Sequence, residues 1–561
     1  MNSVNQRDKK DITRRTFLKR SGQAAAALAA VGTLPVFSPA TASARSDRDF
    51  DILIKGGMLY DGTLKAPGVA DIGIQGGRIA AAGDLAGAQA ARTINAKGLS
   101  VTPGFIDVHT HCDMSFQGMD STALAGALSM MKGNYNYIYQ GVTTVITGNC
   151  GLGIPRTDQW FDMAKAMSFG TNVAHLAPHG EIRAELFGVR QPAELTPAQL
   201  KAFLRRMTEE LEKGAVGFST GLEYAPGLLS ATGELIELAK VTARMGRVYV
   251  THVRNETGAV GRDGKPGVVS ALEEAVLIGK KAGIAVEVSH LKVMVPNNAV
   301  PASAILDIIE KARSEGLDIH ADQYPYDAGS TYITHLIPNK FKANDQSLKS
   351  EFRTEKGFLE IRKALEETFS YLPAEKILIA NYPAKAELEG KTVAEIARIR
   401  SKSPAECYVD MVCEPLCPMG IFFAQNMDIV REIMKRDYVL TASDGETYTK
   451  GVFRPHPRVY GAFPRKLRMV AFDNPWMSIE KAIRSMTSLP AEKFRLKHRG
   501  KIEKGFFADV AVIDLANFRD TATYLDPHQY AAGVKHLLIN GVAAITNGKA
   551  TGAGGGVALK Y

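Results

Sequence analysis

Two histidines stand two positions apart in residues 103–111, which read PGFIDVHTH. The apolar character of this segment predicts a β-strand, in which side chains alternate between the two faces. His109 and His111 are therefore expected to project into the same space near the end of the strand. Imidazole is a good zinc ligand, so the pair predicts half of a metal site. Taken alone the spacing is weak evidence, because surface and core histidines also produce it.

Four further residues that can bind a metal come at the ends of other apolar, β-branched runs. They are Cys150 in TGNCG, His252 in VTH, His290 in VSH and Asp444 in ASDG. Strand ends in a purely structural protein are mostly apolar residues or turn formers, so six donors at five strand ends are hard to attribute to chance. The pattern predicts one site at which all six side chains meet. A small buried thiol at Cys150 and a turn-forming Asp444 are the structural alternatives.

The runs that end in these donors belong to a series of eight, separated by amphipathic helical segments. The β-like runs cover residues 105–111, 142–150, 173–179, 215–222, 247–253, 284–291, 317–324 and 438–444. The helical segments include residues 197–213, 234–245, 270–282 and 303–315. This alternation favours an α/β fold, a (β/α)8 TIM barrel over residues 103–498, with a doubly wound open sheet as the alternative. Active sites of such barrels form at the C-terminal strand ends, where the donors fall.

Short β-like pieces punctuated by glycine occupy both ends of the chain. Residues 45–102 and 499–561 each supply a half-set of such pieces, which predicts one small β-sandwich assembled from both termini. The 561-residue chain exceeds one ordinary core, in keeping with an attachment to the barrel. The gap between the seventh and eighth runs is too long for one connection. It predicts an inserted subdomain at about residues 330–435, near the mouth of the barrel.

The first 44 residues differ in character from the rest of the chain. The segment TRRTFLK at residues 13–19 precedes an alanine-rich apolar stretch, and Ala44 ends a run of small residues. This is typical of a twin-arginine signal peptide cleaved after Ala44, and it predicts export to the periplasm by the twin-arginine machinery. A membrane anchor is the alternative, but Gly32 and Pro35 interrupt a run already too short to span a bilayer. No membrane span is predicted in the mature chain.

Charge and cysteine usage bear on two other classes of protein. Residues 1–44 hold seven Lys/Arg and two Asp/Glu, which account for +5 of the net charge of +9 and leave +4 for the mature chain. That excess is too weak and dispersed to predict nucleic-acid binding. The five cysteines do not have the spacing of a disulfide framework. A Cys413–Cys417 or Cys407–Cys413 bridge in the periplasm stays open.

These motifs together resemble the amidohydrolase superfamily and, within it, the N-acyl-D-amino acid deacylases, or D-aminoacylases. The resemblance runs from about residue 50 to 560. It rests on PGFIDVHTH, GVTTV at 141–145, GNCG at 148–151, STGLEYAPG at 219–227 and SHLK at 289–292. It implies zinc-dependent hydrolysis of the amide bond of a small N-acyl-D-amino acid, giving a carboxylate and a free D-amino acid. The preference for the D enantiomer is implied by the resemblance alone.

The resemblance also implies roles for the predicted donors. It implies a tight zinc site with three ligands, which are Cys150, His252 and His290. His109 and His111 would form a second position, which the family often fills weakly, and Asp444 is also expected among the metal-binding residues. Hydantoinases and dihydroorotases commonly bridge two metals with a carboxylated lysine on the fourth strand, but the fourth run here has no lysine. Asp444 is also the expected general acid/base, taking a proton from the attacking water and passing it to the leaving amine.

Substrate-binding residues are expected around the same strand ends. Lys292 is two residues beyond His290 and so shares its side of the strand, where its ammonium can pair with the substrate carboxylate. Tyr324 ends the seventh run and can donate its phenol to the same carboxylate, and the resemblance supports both roles. Further candidates are Tyr224, Ser330 and Arg458.

Two other functions stay open at this point. One is a related metal-dependent amidohydrolase that acts on cyclic amides or on D- or iso-linked dipeptides, against which the missing lysine counts. The other is a periplasmic metal- or ligand-binding protein with a relict site. A relict site should have lost at least one ligand, whereas all six donors are present.

Overall fold

The structure is a computed structural model that describes residues 48–117, 131–188, 194–296, 300–341, 354–414 and 416–561. The predicted signal peptide, residues 1–44, lies outside the described residues. Within the described ranges, none of the helices combines the length and the apolar character needed to cross a membrane. The described residues also contain no disulfide, so neither of the two possible bridges is formed.

The N-terminal part of the chain forms five strands, which are β1 (Phe50–Leu59), β2 (Gly68–Gln75), β3 (Arg78–Gly83), β4 (Ala90–Asn95) and β5 (Ser100–Pro103). β1 pairs antiparallel with β2 and in parallel with β4 and β5. Between β2 and β3 the chain reverses at Gly76 and Gly77, with φ of 58° and 73°. Glycine adopts left-handed positions at little cost, so this pair favours the tight turn of the hairpin.

The next strands build the barrel, and they are β6 (Phe105–Asp107), β7 (Val142–Thr147), β8 (Asn172–Pro178), β9 (Gly217–Gly221), β10 (Val248–His252), β11 (Ala285–Val288) and β12 (Ile319–Gln323). With β16 (Val439–Thr441), they form an eight-stranded parallel sheet of described residues whose strand order follows the chain. Past the last ladder pairs, the backbone N–H of Asp444 donates to the carbonyl of His109 and that of His111 to Gly445, which joins the two edges. The predicted TIM barrel is thereby confirmed, and the open-sheet alternative is wrong.

Helices surround the barrel, beginning with α1 (Tyr135–Ile138), α2 (Thr157–Met167), α3 (His179–Phe187), α4 (Pro197–Glu212), α5 (Thr232–Arg244), α6 (Gly267–Ala282) and α7 (Ala302–Ser314). α4 begins after Thr196, whose hydroxyl accepts from the backbone N–H of Gln199 in a capping box. Apolar residues such as Phe203 and Leu272 pack these helices against outward-facing strand residues. A separate apolar cluster, which includes Ile146 and Leu176, is formed largely by barrel strands.

The insertion between β12 and β16 has its own small sheet and core. Its strands are β13 (Gly329–Tyr332), β14 (Ile377–Asn381) and β15 (Met419–Phe422), and its helices are α8 (Glu355–Tyr371), α9 (Val393–Ile399) and α10 (Pro404–Val412). The next helix, α11 (Met427–Met434), packs against α7 of the barrel. The barrel therefore resumes before residue 435, the boundary expected from the sequence, because an amphipathic helix carries the same pattern in either setting.

The chain ends with three more barrel-side helices and four strands. The helices are α12 (Arg458–Leu467), α13 (Ile479–Arg484) and α14 (Ser488–Lys493), and the strands are β17 (Val510–Ile513), β18 (Val534–Ile539), β19 (Val542–Thr546) and β20 (Lys549–Ala550). β17 pairs antiparallel with β5, so the two terminal half-sets join in one hydrogen-bonded sheet of nine described strands. Residues of the β2–β3 hairpin also bond to the segment before β17, through Gly77 and Ala508. Apolar residues from both ends, among them Ile74 and Val510, share its core.

Candidate metal centre

His109 and His111 lie in the loop beyond β6, because that strand ends at Asp107. The prediction that both stand on the strand is therefore wrong, although their side chains do share one space. Their ring centroids are 5.4 Å apart. Their Nε2 atoms lie 3.4 Å and 3.2 Å from Oδ1 of Asp444. The loop thus brings the two imidazoles to the carboxylate at the end of the eighth barrel strand.

Asp107 explains why the strand stops there. Its carboxylate is fully buried, and Oδ1 accepts from the backbone N–H groups of His109 at 3.2 Å and Ser443 at 3.1 Å. Burial raises the pKa of this carboxyl group to about 8, against the effect of these hydrogen bonds. Asp107 therefore ties together the loops that bear His109 and Asp444, a role that the sequence analysis did not assign.

Cys150 joins this cluster from the end of the second barrel strand. Its Sγ lies 3.2 Å from Nε2 of His109 and 3.6 Å from Nε2 of His290. One donor atom from each of these three residues lies within 4.8 Å of the others. Sulfur and imidazole donors at this spacing suit zinc.

His252 stands at the edge of the cluster. The structure does not group it with Cys150, as the expected tight site would require, but with His290 and Glu256. Its ring centroid is 4.5 Å from that of His290, and its Nε2 lies 3.2 Å from Oε2 of Glu223. Its Nδ1 is buried and has no hydrogen-bond partner among the described residues. A buried nitrogen without a partner fits a metal ligand, so the donor set as a whole is compatible with zinc.

Three of the donors adopt a strained backbone. Cys150, His290 and Asp444 have φ of 54°, 35° and 51°, in the left-handed region that side-chain-bearing residues avoid. Such conformations cost about 1–3 kcal/mol each and concentrate at functional sites, where the surrounding structure holds them. In each case the strain accompanies a side chain aimed at the cluster.

Asp444 is held as an anion between cationic and imidazole groups. Oδ2 forms an ion pair with Nη1 of Arg458 at 2.8 Å, while Oδ1 faces His109 and His111. Burial alone would raise the pKa of this carboxyl group, but Arg458 and the imidazoles outweigh it and hold the pKa well below its usual value. An ionised carboxylate beside the donor cluster is positioned to accept a proton.

Lys292 is buried next to the cluster and paired with a residue that the sequence analysis missed. Its Nζ lies 2.6 Å from Oε1 of Glu256 and 2.8 Å from Nδ1 of His290. Burial lowers the pKa of the ammonium, but Glu256 outweighs it and raises the pKa to about 12. Glu256 lies in the irregular segment after β10, where no periodic spacing in the sequence pointed to it.

The other substrate-binding candidates line the side of the cluster that the insertion covers. The Arg458 guanidinium lies 4.6 Å from the ring centroid of Tyr324 and donates through Nη2 to the carbonyl of Ser330 at 3.4 Å. The hydroxyls of Tyr224 and Thr331 are 3.1 Å apart. β13 therefore crosses the barrel mouth beside the predicted residues. Tyr324 also accepts from Nε2 of Gln425 at 3.1 Å.

Two further carboxylates complete the surroundings of the histidines. Asp322 accepts from the backbone N–H of His290 at 2.8 Å, and its other oxygen is 3.4 Å from Nδ1 of His109. It precedes Tyr324 by two positions, so strand alternation could have placed it at the site. In the sequence, nothing marked Glu223 as a residue of the site except its position next to Tyr224.

Comparisons with known proteins agree with this geometry. The amidohydrolase family model matches residues 92–180 and 390–545. The chain is 34% identical to the N-acyl-D-glutamate deacylase of Alcaligenes xylosoxydans xylosoxydans, over 88% of this chain and 93% of that protein. It is 32% identical to the D-aminoacylase of the same organism, over 89% and 95%.

The fold comparison reaches the same group of proteins. The crystal structure of N-acyl-D-glutamate deacylase from Bordetella bronchiseptica is a complex with zinc and a phosphonate inhibitor that mimics the reaction's tetrahedral intermediate. It is 31% identical to this chain, with a TM-score of 0.76 over 91% of this chain and 100% of that one. The barrel, the donor cluster and these matches together show that the chain belongs to the amidohydrolase superfamily and, within it, to the N-acyl-D-amino acid deacylases.

Proposed function

We propose that this protein is a zinc-dependent deacylase that hydrolyses the amide bond of N-acyl-D-amino acids, giving a carboxylate and a free D-amino acid. The observation that carries the proposal is the convergence of Cys150, His109 and His290, whose donor atoms lie within 4.8 Å of one another beside the carboxylate of Asp444. Two relatives that share most of the chain are named N-acyl-D-glutamate deacylase and D-aminoacylase, which supports the proposal.

The donors divide into two positions in this proposal. Cys150, His290 and His252 would hold a tightly bound zinc, with the partnerless Nδ1 of His252 supplying the third donor although its ring groups with His290 rather than with Cys150. His109 and His111, with Asp444, would form a second and weaker position. Zinc, when bound, polarises the scissile carbonyl and makes water a better nucleophile at neutral pH. The Bordetella relative contains zinc, which supports the choice of metal.

Asp444 moves the proton in the proposed reaction. As an ionised carboxylate it accepts a proton from the attacking water through Oδ1 and later donates it to the leaving nitrogen. Arg458 holds Oδ2 at 2.8 Å and so keeps the carboxylate oriented during both transfers. The proton therefore travels from water to amine through one side chain.

The substrate carboxylate is expected on the side of the cluster that bears Arg458, Tyr324 and Lys292. Arg458 and Lys292 supply positive charge in a buried setting, where an ionic hydrogen bond is strong. Tyr324 supplies a phenolic donor, and Ser330 and Tyr224 border the same space from β13 and from the loop after β9. Lys292 is already paired with Glu256, so its part is to add charge behind the nearer donors.

The two alternatives draw less support from the site. A cyclic-amide hydrolase of the hydantoinase type would use a lysine on the fourth barrel strand, and β9 reads GFSTG. A relict binding site would not need a carboxylate that is kept ionised beside the five other donors.

The function is tested by assaying the purified mature protein on N-acetyl-D-methionine and N-acetyl-L-methionine, with and without a chelator. We expect hydrolysis of the D enantiomer, loss of turnover with chelator, and recovery with added zinc. Activity on neither enantiomer, after a panel that includes N-acetyl-D-glutamate, would contradict the deacylase assignment. Turnover that survives complete removal of metal would contradict the zinc mechanism.

We also propose that the twin-arginine machinery exports the protein to the periplasm. The support is the TRRTFLK segment and the apolar stretch that follows it in residues 1–44. Replacing Arg14 and Arg15 with lysine should retain the protein in the cytoplasm, as measured by cell fractionation. Unchanged periplasmic recovery would contradict this route.

A further inference from the structure

Two histidines in this barrel each place one ring nitrogen against a buried carboxylate. His252 has Nε2 at 3.2 Å from Oε2 of Glu223, and His179 has Nε2 at 2.9 Å from Oε1 of Glu234. All four residues are buried, with at most 7% of each exposed. In each ring the second nitrogen, Nδ1, has no hydrogen-bond partner among the described residues. The two pairs are therefore alike in local chemistry, and they differ in the groups that surround the histidine ring.

The surroundings separate the two pairs. Glu234 also accepts from Nε of Arg183 at 3.1 Å, so its charge is balanced within a structural cluster at α3 and α5. His252 instead packs edge-on against His290, whose Nε2 is 3.6 Å from the sulfur of Cys150. Of these two Nδ1 atoms, only that of His252 thus belongs to a ring in contact with the donor cluster.

We infer that Glu223 is a positioning residue of the metal centre, which acts through His252. A carboxylate facing Nε2 favours the tautomer with the proton on Nε2, because that proton can then be donated to it. Nδ1 is left with a free lone pair and a fixed ring orientation, as a metal ligand requires. Carboxylates that hold a ligating histidine in this way commonly raise metal affinity by about 10–100-fold. The inference rests on the proposed function in taking His252 as a zinc ligand.

Glu256 is less suited to this role, although it lies nearby. Its nearer approach to Nε2 of His252 is 3.8 Å, which is too long for a hydrogen bond. Its carboxylate is instead engaged with Lys292 at 2.6 Å and with Nδ1 of His290 at 3.0 Å. Glu223 is therefore the carboxylate that sets the state of the His252 ring.

Glu223 also links this metal ligand to the insertion. Its second oxygen, Oε1, lies 3.6 Å from Nδ1 of His335, which follows β13 in the insertion. The imidazole of His335 is one of the groups that offset the cost of burying the Glu223 carboxylate. A change at His335, which is not one of the proposed ligands, should consequently weaken zinc binding, but less than a change at Glu223.

The test measures zinc affinity directly, by chelator competition on the purified mature protein in the absence of substrate. Glu223→Ala should raise the zinc Kd by about 10–100-fold. Glu223→Gln keeps an acceptor oxygen without the charge and should fall between wild type and alanine, as should His335→Asn. Glu234→Gln is the matched control, since it alters the same kind of pair away from the donors, and it should leave zinc affinity unchanged.

Cobalt substitution supplies a second readout that a general loss of stability would not move. The visible spectrum of the cobalt-loaded protein reports the geometry of the ligands, so it should change in Glu223→Ala and stay as in wild type in Glu234→Gln. If Glu223→Ala does not fold, Glu223→Gln and His335→Asn carry the test. Wild-type affinity and an unchanged spectrum in the Glu223 variants would overturn the inference.

The outcomes also separate this inference from the proposed function. Tight zinc binding by a wild-type protein that hydrolyses no N-acyl amino acid would refute the function and leave the role of Glu223 open to the same measurement. Hydrolysis by wild type, together with unaltered zinc affinity in the Glu223 variants, would refute the inference alone.

Discussion

Two lysines, Lys292 and Lys466, are almost completely buried, and their surroundings differ. At the barrel mouth, Lys292 lies 2.6 Å from the carboxylate of Glu256, and its pKa is raised to about 12. Behind β16, Lys466 donates to the hydroxyls of Thr441 at 2.7 Å and Ser485 at 3.0 Å. Burial lowers the pKa of Lys466 from its ordinary value of 10.5 to about 7.

The difference shows that burial does not by itself mark a functional charge. Both lysines lose their water, but only Lys292 is compensated by a carboxylate within a group of ionised and metal-binding side chains. Lys466 has two hydroxyl groups where Lys292 has a carboxylate, and no acidic side chain is in ion-pair contact with it in the part of the chain that the structure describes. The mouth concentrates opposite charges around one point, as expected where chemistry occurs, and the outer face of β16 does not.

Removing the Cys150 thiol should have the largest effect, and it tests whether the barrel mouth differs from other buried polar regions by binding a metal. Cys150→Ala should lose tightly bound zinc and, with it, turnover to the level of the metal-free protein. The reason is that the structure gives the cluster only one sulfur donor, which lies 3.2 Å and 3.6 Å from two imidazole nitrogens. Metal content by elemental analysis and hydrolysis of N-acetyl-D-methionine measure the effect.

Cys407→Ala is the control for that variant, because Cys407 is equally buried but belongs to the core of the insertion. It should keep its zinc and its activity. A stoichiometric zinc content in Cys150→Ala would refute the role of the thiolate as a ligand. Cys150 would then be no different in function from the buried cysteine in the core of the insertion.

Much of this arrangement could be predicted from the sequence, because the barrel strands are β-branched runs and the donors stand directly after them. The error at His109 and His111 shows the limit of that argument. Strand periodicity predicted a common direction for both side chains, but the strand ends at Asp107, where a side-chain oxygen takes over the hydrogen bonding of the backbone. A carboxylate that binds two separate loops leaves no periodic signal.

The partners of the donors were the part that the sequence could not supply. Glu223 and Glu256 contact His252 and Lys292 through side-chain conformations and loop paths that are set by tertiary packing. The same holds for β13, which brings Ser330 to Arg458 from an insertion whose position over the mouth has no local sequence pattern. Ligand types and strand ends are local properties, whereas the pairing of charges is not.

Neutralising the proposed proton carrier comes next in expected effect. Asp444→Asn should keep the tightly bound zinc but reduce turnover by about 10²–10⁴-fold, since an amide cannot accept the proton of the attacking water. Zinc content and kcat on the D substrate are the measurements. Near-normal turnover would show that another group carries the proton, and loss of zinc would show that Asp444 acts mainly as a ligand.

Removing the partner of Lys292 should make the two lysines more alike. Glu256→Gln leaves a buried ammonium without its carboxylate, which we expect to cost about 3–5 kcal/mol in the free energy of unfolding. Adding Lys292→Met in the same chain should recover part of that loss, because the unpaired charge is then removed. Thermal midpoints of both variants, recorded without metal at one scan rate, test the pairing. Equal midpoints for wild type and Glu256→Gln would contradict it.

The smallest expected effect concerns the other lysine and has the opposite sign. Lys466→Met should raise the free energy of unfolding by about 1–2 kcal/mol at pH 7, because it removes a poorly compensated buried cation. The two hydroxyls left behind are 3.2 Å apart and Ser485 also donates to the carbonyl of Ala482, so neither loses all its partners.

The pH dependence distinguishes this explanation from a simple gain in apolar packing. Between pH 7 and 10.5 the unfolded chain holds a proton on Lys466 that the folded chain has released, so wild-type stability should rise with pH across this window through this group. Below pH 7 both states are protonated, and the full cost of the buried charge remains. The difference in thermal midpoint between Lys466→Met and wild type should therefore shrink from pH 7 to pH 10. A constant difference would mean that the folded and unfolded chains hold the Lys466 proton equally up to pH 10, so that burial does not lower its pKa, and the contrast with Lys292 would then rest on packing rather than on charge.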